Sequence, residues 1–355
     1  RMGYINNAPN PKLRWEKTRD VKVALDFGLW KDRINGIVEA YWRKSKDCVT
    51  SEYVPVTTGF FNQSYNTSVL QNNGVEFSLS VAVLKSKDYN LSVSANVAWN
   101  QNKLKKYNSP NTSLALDKYV GYPMGAVFSG KYEGIDPETG MYKFKLRPDA
   151  VTNKDGYLRE PNNYYYYLGT SVAPFTGGFN LNFSYKNIGL SVGGSYSVKA
   201  KMVDNIESPA GYELLSGSKL ESIPTPHNDL YRNHLNVKRE VRNRWTPENR
   251  TGVKYPRLID AYGKKLGLDL TNPTLTTITR GALLEDISYL RINTIALSYS
   301  LPQRVLERIN FSSAALNLTL NNFFTITKYS GIDPEVPGAT YPVSRSVTIG
   351  LNVGF

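Results

Sequence analysis

Two copies of one short string, Gly134-Ile135-Asp136-Pro137-Glu138 and Gly331-Ile332-Asp333-Pro334-Glu335, each set a carboxylate on either side of a proline. Acids at that spacing can receive a cationic group of a ligand or partner. The same string also makes a turn, because Asp hydrogen-bonds its own backbone two residues on and Pro presets φ. The run Asn162-Asn163-Tyr164-Tyr165-Tyr166-Tyr167 offers flat rings that suit a sugar or a peptide backbone. Alternate rings of that run could equally pack on the rim of a strand that begins near Phe175. Trp245, with Arg242, Arg244 and Arg250 around it, could stack on or pair with a ligand, or brace its own loop.

Catalytic chemistry has no comparable support. There is no GxSxG elbow, no HExxH pair and no phosphate-binding loop. One cysteine, Cys48, excludes a disulfide scaffold and a multi-thiolate metal site, and two histidines, His227 and His234, leave little for a histidine centre. A paired-carboxylate glycosidase has nothing specific in its favour. The chain reads as a non-enzyme with no intrinsic cofactor.

Of 355 residues, 41% are hydrophobic and 21% charged, which excludes a disordered chain. No stretch nears the roughly 18 apolar residues of a membrane helix, but a membrane barrel hides its hydrophobicity by alternation. The net charge is +13 and the pI about 9.5. The basic residues are dispersed, and the densest stretch, Lys238 to Arg250, is broken by acids, Trp245 and Pro247. Nucleic acid is therefore not the expected partner; solvated loops, or loops against lipopolysaccharide phosphates, are. Arg1 is not an initiator residue, so the protein is expected to continue upstream.

The elements that must position these residues follow a period of two. Val347, Ile349, Leu351, Val353 and Phe355 alternate with Thr348, Gly350, Asn352 and Gly354. Leu91, Val93, Ala95, Val97 and Trp99 alternate with Asn90, Ser92, Ser94 and Asn96. Nine strands are expected at about 18–30, 33–46, 72–84, 88–104, 175–186, 188–200, 285–300, 313–327 and 343–355, with a β-bulge near Asn293. Their connections alternate short and long. The long ones, 49–71, 105–173, 201–283 and 328–342, fall on every second connection, which an outer-membrane barrel explains and a soluble sandwich does not. The second face of the strands carries Lys22, Asp26, Glu39, Arg43, Glu76 and Asn96, fit for a polar lumen. Trp30, Trp42, Trp99, Tyr107, Tyr185, Phe323 and Phe324 gather toward strand ends, where an interfacial girdle belongs. The fold class expected is all-β: a transmembrane antiparallel β-barrel piece with long extracellular loops.

Several segments carry a family likeness. Asn10-Pro11-Lys12-Leu13-Arg14-Trp15-Glu16-Lys17-Thr18, Leu25-Asp26-Phe27-Gly28-Leu29, Arg33-Ile34-Asn35-Gly36 and Asn73-Gly74-Val75-Glu76 resemble successive motifs of SusC/RagA-type TonB-dependent transporters. So do Ser288-Tyr289-Leu290-Arg291-Ile292, Leu297-Ser298-Tyr299-Ser300-Leu301-Pro302 and the block from Asn321 to Glu335. The resemblance implies that residues 1–355 are the C-terminal part, about nine strands, of a barrel of about 22 that encloses a plug. It implies TonB-dependent import of nutrient, oligosaccharide first and peptide second. A SusD-like surface lipoprotein would act as lid, and the TonB complex would engage through the region upstream. It also draws attention to Asp149, Asn153 and Asp155, before Gly156, as a weak calcium loop; a polar turn is the plainer reading. The alternative function is a SusC-type barrel serving an outer-membrane assembly or secretion complex, and a further alternative is a soluble β-protein with a binding role.

Overall fold

The computed structural model describes residues 8–108, 119–138, 140, 142–150, 163–203, 242–255, 280–308, 310–337 and 341–355. Its strands in chain order are β1 (Lys17–Leu29), β2 (Ile34–Tyr53), β3 (Asn62–Lys85), β4 (Tyr89–Tyr107), β5 (Ala126–Gly130), β6 (Tyr132–Ile135), β7 (Tyr142–Phe144), β8 (Tyr165–Thr170), β9 (Phe175–Tyr185), β10 (Ile188–Val198), β11 (Lys201–Val203), β12 (Leu284–Asp286), β13 (Tyr289–Ser300), β14 (Ser313–Thr327) and β15 (Ser346–Gly354). Nine of them make one antiparallel sheet in the order β1-β2-β3-β4-β9-β10-β13-β14-β15. The sheet is a meander whose long connections hold the small pairs β5–β8, β6–β7 and β11–β12.

In such a meander, alternate connections share an end. The connections at 30–33, 86–88, 186–187 and 301–312, the last carrying the short helix α1 (Gln303–Arg308), lie at one end. Those at 54–61, 108–174, 199–288 and 328–345 lie at the other. The expected bulge is present: the register of β13 slips between Ile292 and Thr294 against β14, and β10 answers between Gly193 and Gly194. It returns Ile295 and Leu297 to the apolar face.

The register also sorts the side chains. Cross-strand partners share a face, and the row Asp26↔Ile37↔Ser78↔Asn96↔Gly178 is polar or small for most of its length. The neighbouring row, Leu25↔Val38↔Phe77↔Val97↔Gly177, belongs to the aliphatic face. Among the described residues no second layer covers that aliphatic face: Leu25 is 64% exposed, Ile349 72% and Leu351 67%. A water-soluble sheet would bury such a surface; a barrel wall turns it to lipid. The small conventional core lies at the long-loop end, where Ala200, Ile287 and Tyr329 pack with Ala173 and Met202.

Two family-like glycines have a steric reason. A Cβ on Gly74 would sit 2.3 Å from Cζ of Tyr41, its cross-strand partner, and one on Gly36 would sit 2.3 Å from Cζ of Phe27. Each ring lies flat over the strand beside it, and only glycine leaves the room.

Some boundaries differ from expectation. β2 runs on to Tyr53 and β3 begins at Asn62, so much of 49–71 is paired strand. The bulge between Ser45 and Cys48 breaks the period there, and polar side chains take over: Thr67 bonds Thr50 at 2.7 Å, and Asn66 Nδ2 donates to the Asp47 carbonyl at 2.6 Å. With 24 residues β3 spans roughly 80 Å of chain at about 3.3 Å per residue, far beyond what one tilted crossing needs. The strand expected at 285–300 is broken at Ile287–Ser288, where Asp286 Oδ1 accepts the Ser288 N–H at 2.8 Å. Tyr107 is not part of a girdle: it is buried, and its hydroxyl bonds Glu52 Oε1 at 2.6 Å.

Candidate functional site

The polar face lines several cavities among the described residues. One, of about 830 Å³, runs across β1 to β10 over Asp26, Asp32, Asn35, Ser78, Ser94, Asn96 and Asn180. Hydroxyls and amides dominate its polar lining, and two carboxylates, Asp26 and Asp32, stand at its short-turn end, so a polar solute there meets hydrogen-bonding groups and two acids. Toward the long-loop end the face becomes ionic. Lys22 Nζ meets Glu39 at 2.7 Å and Arg43 meets Asp20 at 2.7 Å, both partly exposed. Glu76 lies directly across from Glu39, and with Lys22, Tyr41, Arg43, Asn72 and Asn100 it lines a recess of about 300 Å³.

A further cleft of about 500 Å³ opens at the long-loop end, lined by Tyr122, Met124, Tyr167, Asn100 and Asn102 among others. Its rings come from a cluster in which Tyr122 and Tyr167 lie 4.9 Å apart and Phe128 meets Tyr122 edge-on at 4.9 Å. β5 and β8 pair, and that pairing brings Phe128 opposite Tyr167. Burial among these rings raises the Tyr167 phenol above its ordinary pKa, so it stays a neutral donor and acceptor at any physiological pH.

The two GIDPE strings are both turns, and the second is also a clasp. In the first, Asp136 Oδ1 accepts the Glu138 N–H at 2.8 Å and the Asp136 carbonyl accepts that of Gly140 at 2.8 Å. In the second, Asp333 Oδ1 accepts the Glu335 N–H at 3.0 Å, while Oδ2 accepts that of Val343 at 3.0 Å. Asp333 also takes Arg291 Nη2 at 2.5 Å, and Arg291 Nη1 reaches Glu335 at 3.1 Å. Arg291 is 2% exposed and Asp333 5%. Burial pushes the Asp333 carboxyl up, but the N–H groups of Val343 and Glu335 and the Arg291 guanidinium carry it, on balance, below the usual carboxylate range. The clasp fastens the 328–345 connection to the end of β13. Sequence reasoning missed Arg291; the signal was an arginine on the inner face of an otherwise uncharged strand.

The remaining candidates fall in several places. Tyr166 donates to the Leu146 carbonyl at 2.8 Å, whereas Tyr167 is 41% exposed at the cleft, and Tyr164 and Tyr165 are half-buried beside it. Trp245 is buried and its Nε1 donates to the Pro137 carbonyl at 2.9 Å, tying its segment to the first GIDPE turn. Arg250 Nε donates to the Pro247 carbonyl at 2.8 Å and the Arg244 carbonyl accepts from Asn249, so both shape that segment; Arg242 is exposed. Asp149 is gripped by Arg147 through two bonds of 2.8 and 2.7 Å, which lower its pKa. Asn153, Asp155 and Asn162 lie outside the described residues.

No protein-family model matches the chain. It is similar to the TonB-dependent receptor P26 of Formosa agariphila, 25% identical over 99% of this chain and 36% of the relative. It is also similar to the TonB-dependent receptor SusC of Bacteroides thetaiotaomicron, 25% identical over 98% of this chain and 32% of that protein. The chain thus spans about a third of the length of the curated relatives it matches. Among solved structures, the RagAB peptide importer in its closed-closed state aligns with a TM-score of 0.77, 27% identity, and cover of 99% of this chain and 37% of that one. A second structure of the RagAB peptide transporter gives 0.75 and 27%, over 98% and 36%. The lipid-facing outer wall, the polar inner face, the meander and these likenesses agree on an outer-membrane β-barrel portion similar to that of SusC/RagA-type TonB-dependent receptors.

Proposed function

We propose that a barrel built with this chain imports nutrient across the outer membrane, driven through TonB, with a SusD-like surface lipoprotein closing over the long loops. The observation that carries this reading is the likeness to the RagAB importer along 99% of the chain, at 27% identity. The inner face supports it. A nine-stranded arc whose inner wall is rich in hydroxyls and amides, with Asp26 and Asp32 at its short-turn end, is suited to letting a polar oligomer slide past. The cleft of Tyr122 and Tyr167 beside Asn100 and Asn102 offers rings to stack on and amides to bond, which suits oligosaccharide first and peptide second. Asp136, Glu138 and the exposed Glu335 rim are the proposed lid contacts.

The test is a strain lacking the full-length protein. It is expected to lose uptake of a labelled oligosaccharide or peptide pool, to regain it on complementation, and to lose it again when TonB is removed. Mass spectrometry of ligand extracted from the purified protein assigns sugar or peptide, and co-purification identifies the lid. Unchanged uptake of both pools in the deletion strain overturns the import reading and leaves the assembly role.

A further inference from the structure

The outward face of β1 to β4 has a charge pattern that the transport reading does not use. Its residues on β1 are Lys17, Arg19, Val21, Val23, Leu25, Phe27 and Leu29. The register carries that face across the sheet. Arg19 lies opposite Lys44, Lys44 opposite Gln71, and Gln71 opposite Lys103. One step farther from the apolar band, Lys17 lies opposite Lys46. The next row inward is Val21↔Trp42↔Asn73↔Gln101, and the one after it is Val23↔Ala40↔Val75↔Trp99. Five cations therefore stand in two rows just beyond the tryptophans, at the long-loop end. The carboxylates of these strands nearby, Asp20, Asp26, Glu39 and Glu76, all point to the other face. None of the five cations is in an ion pair among the described residues.

We propose that Lys17, Arg19, Lys44, Lys46 and Lys103 form a docking surface for the phosphate-bearing headgroups of the lipid leaflet at the long-loop end. Geometry and charge carry the argument together. Trp42 and Trp99 mark the headgroup level, where amphipathic rings settle. Each row along a strand is about 7 Å from the next, so the cations stand one to two rows outside that level, at the depth of lipid phosphates. Four adjacent strands at about 4.8 Å spacing make a strip roughly 15 Å wide, enough for more than one phosphate. Long Lys and Arg stems lie along the apolar wall while their charged ends reach the headgroups. The adjacent acid in the β2 bulge, Asp47, is paired with Arg14 at 3.3 Å, so among the described residues the five cations have no counter-charge, and a bilayer leaflet rich in anionic headgroups supplies one.

The test uses the full-length protein in detergent, titrated with nanodiscs of phosphatidylcholine with and without phosphatidylglycerol, and with purified lipid A. Each cation near an anionic surface contributes about five-fold in affinity. Lys44→Gln with Lys103→Gln is expected to weaken association with the anionic discs and lipid A by roughly ten-fold or more. Lys44→Arg with Lys103→Arg should keep it. Lys31→Gln with Lys87→Gln at the opposite end should also keep it, and choline-only discs should not discriminate. Heat-modifiable migration on a detergent gel reports that each variant is folded. Equal affinity of the glutamine and wild-type proteins for anionic lipid overturns the proposal. So does full competition by millimolar inorganic phosphate, which would make the strip a site for free phosphate.

Discussion

Asp333→Asn removes one charge from a buried pair and leaves the shape unchanged. Arg291 is then buried at 2% exposure with only Glu335, half-exposed and 3.1 Å away, to balance it. Breaking a buried pair from one side costs about 3–5 kcal/mol. The surviving Glu335 contact offsets part of that, so about 2–4 kcal/mol is expected, confined to the docking of the 328–345 connection. Glu335→Gln touches only the exposed arm and should cost under about 1 kcal/mol. Native-state amide exchange reads this directly at Val343 and Glu335, whose N–H groups Asp333 holds. A loss of 2 kcal/mol raises their opening about thirty-fold. Acid repeats the experiment without mutation. Because the folded pKa of Asp333 lies below its unfolded value, the clasp's stabilisation is complete above about pH 4 and is lost as pH falls through the folded pKa. In Asp333→Asn the acid-dependent step at these amides should vanish. Unchanged protection of Val343 in Asp333→Asn, or equal losses in Asp333→Asn and Glu335→Gln, would refute the reasoning.

The other predictions test facing, packing and loop anchorage. Val93→Arg, on the lipid wall, should cost roughly 2–4 kcal/mol of barrel stability, while Ser94→Arg next door, on the inner face, should be much milder; equal costs in denaturant titration would mean the faces are reversed. Gly74→Ala should destabilise by about 1–3 kcal/mol through the Tyr41 ring, and Tyr41→Ala in the same chain should relieve most of it, so additive costs in the double-mutant cycle would remove the steric account. Trp245→Ala should release the 134–138 turn to protease at a cost of about 3–5 kcal/mol, while Trp245→Phe, which keeps a ring but loses the bond to Pro137 and some volume, should cost less, about 1–3 kcal/mol. A calcium ion proposed at Asp149 must compete with Arg147 for the same carboxylate, so Arg147→Ala should tighten calcium binding and chelator should leave that variant's loop more protease-sensitive; no calcium effect on either protein would exclude the site.

The wall of the barrel was legible because its two solvents are unlike. Lipid outside and water inside force alternation at every residue, so Leu91 to Trp99 and Val347 to Phe355 announce both strand and facing. The same rule explains where reading stopped. Past Ser45 and before Asn72 β2 and β3 have left the hydrocarbon band, and the bulge at Cys48 shifts the phase, so the paired extension looked like loop. The cleft was half legible: the tyrosine run stood out, but Tyr122 and Phe128, which complete it, sit without period in a connection and are brought in by backbone bonds to Leu104 and by the β5–β8 pairing.

The two GIDPE strings show why site residues resist a reading from local sequence. Both make the same Asx turn, with Asp136 and Asp333 each holding the N–H two residues on, and that much is in the string itself. What differs is the opposite side of the aspartate. Asp333 faces Arg291, 42 residues back along the chain, and becomes half of a buried ion pair. The first turn is instead capped from outside by Trp245, 108 residues ahead, bonding the Pro137 carbonyl and leaving Glu138 exposed. One motif therefore closes a connection onto the barrel through charge, and the other braces a loop through a ring and a carbonyl. Their carboxylates are not equivalent: Glu138 is exposed, Glu335 is half-exposed and shares the Arg291 guanidinium at 3.1 Å, and Asp333 is the buried half of that pair.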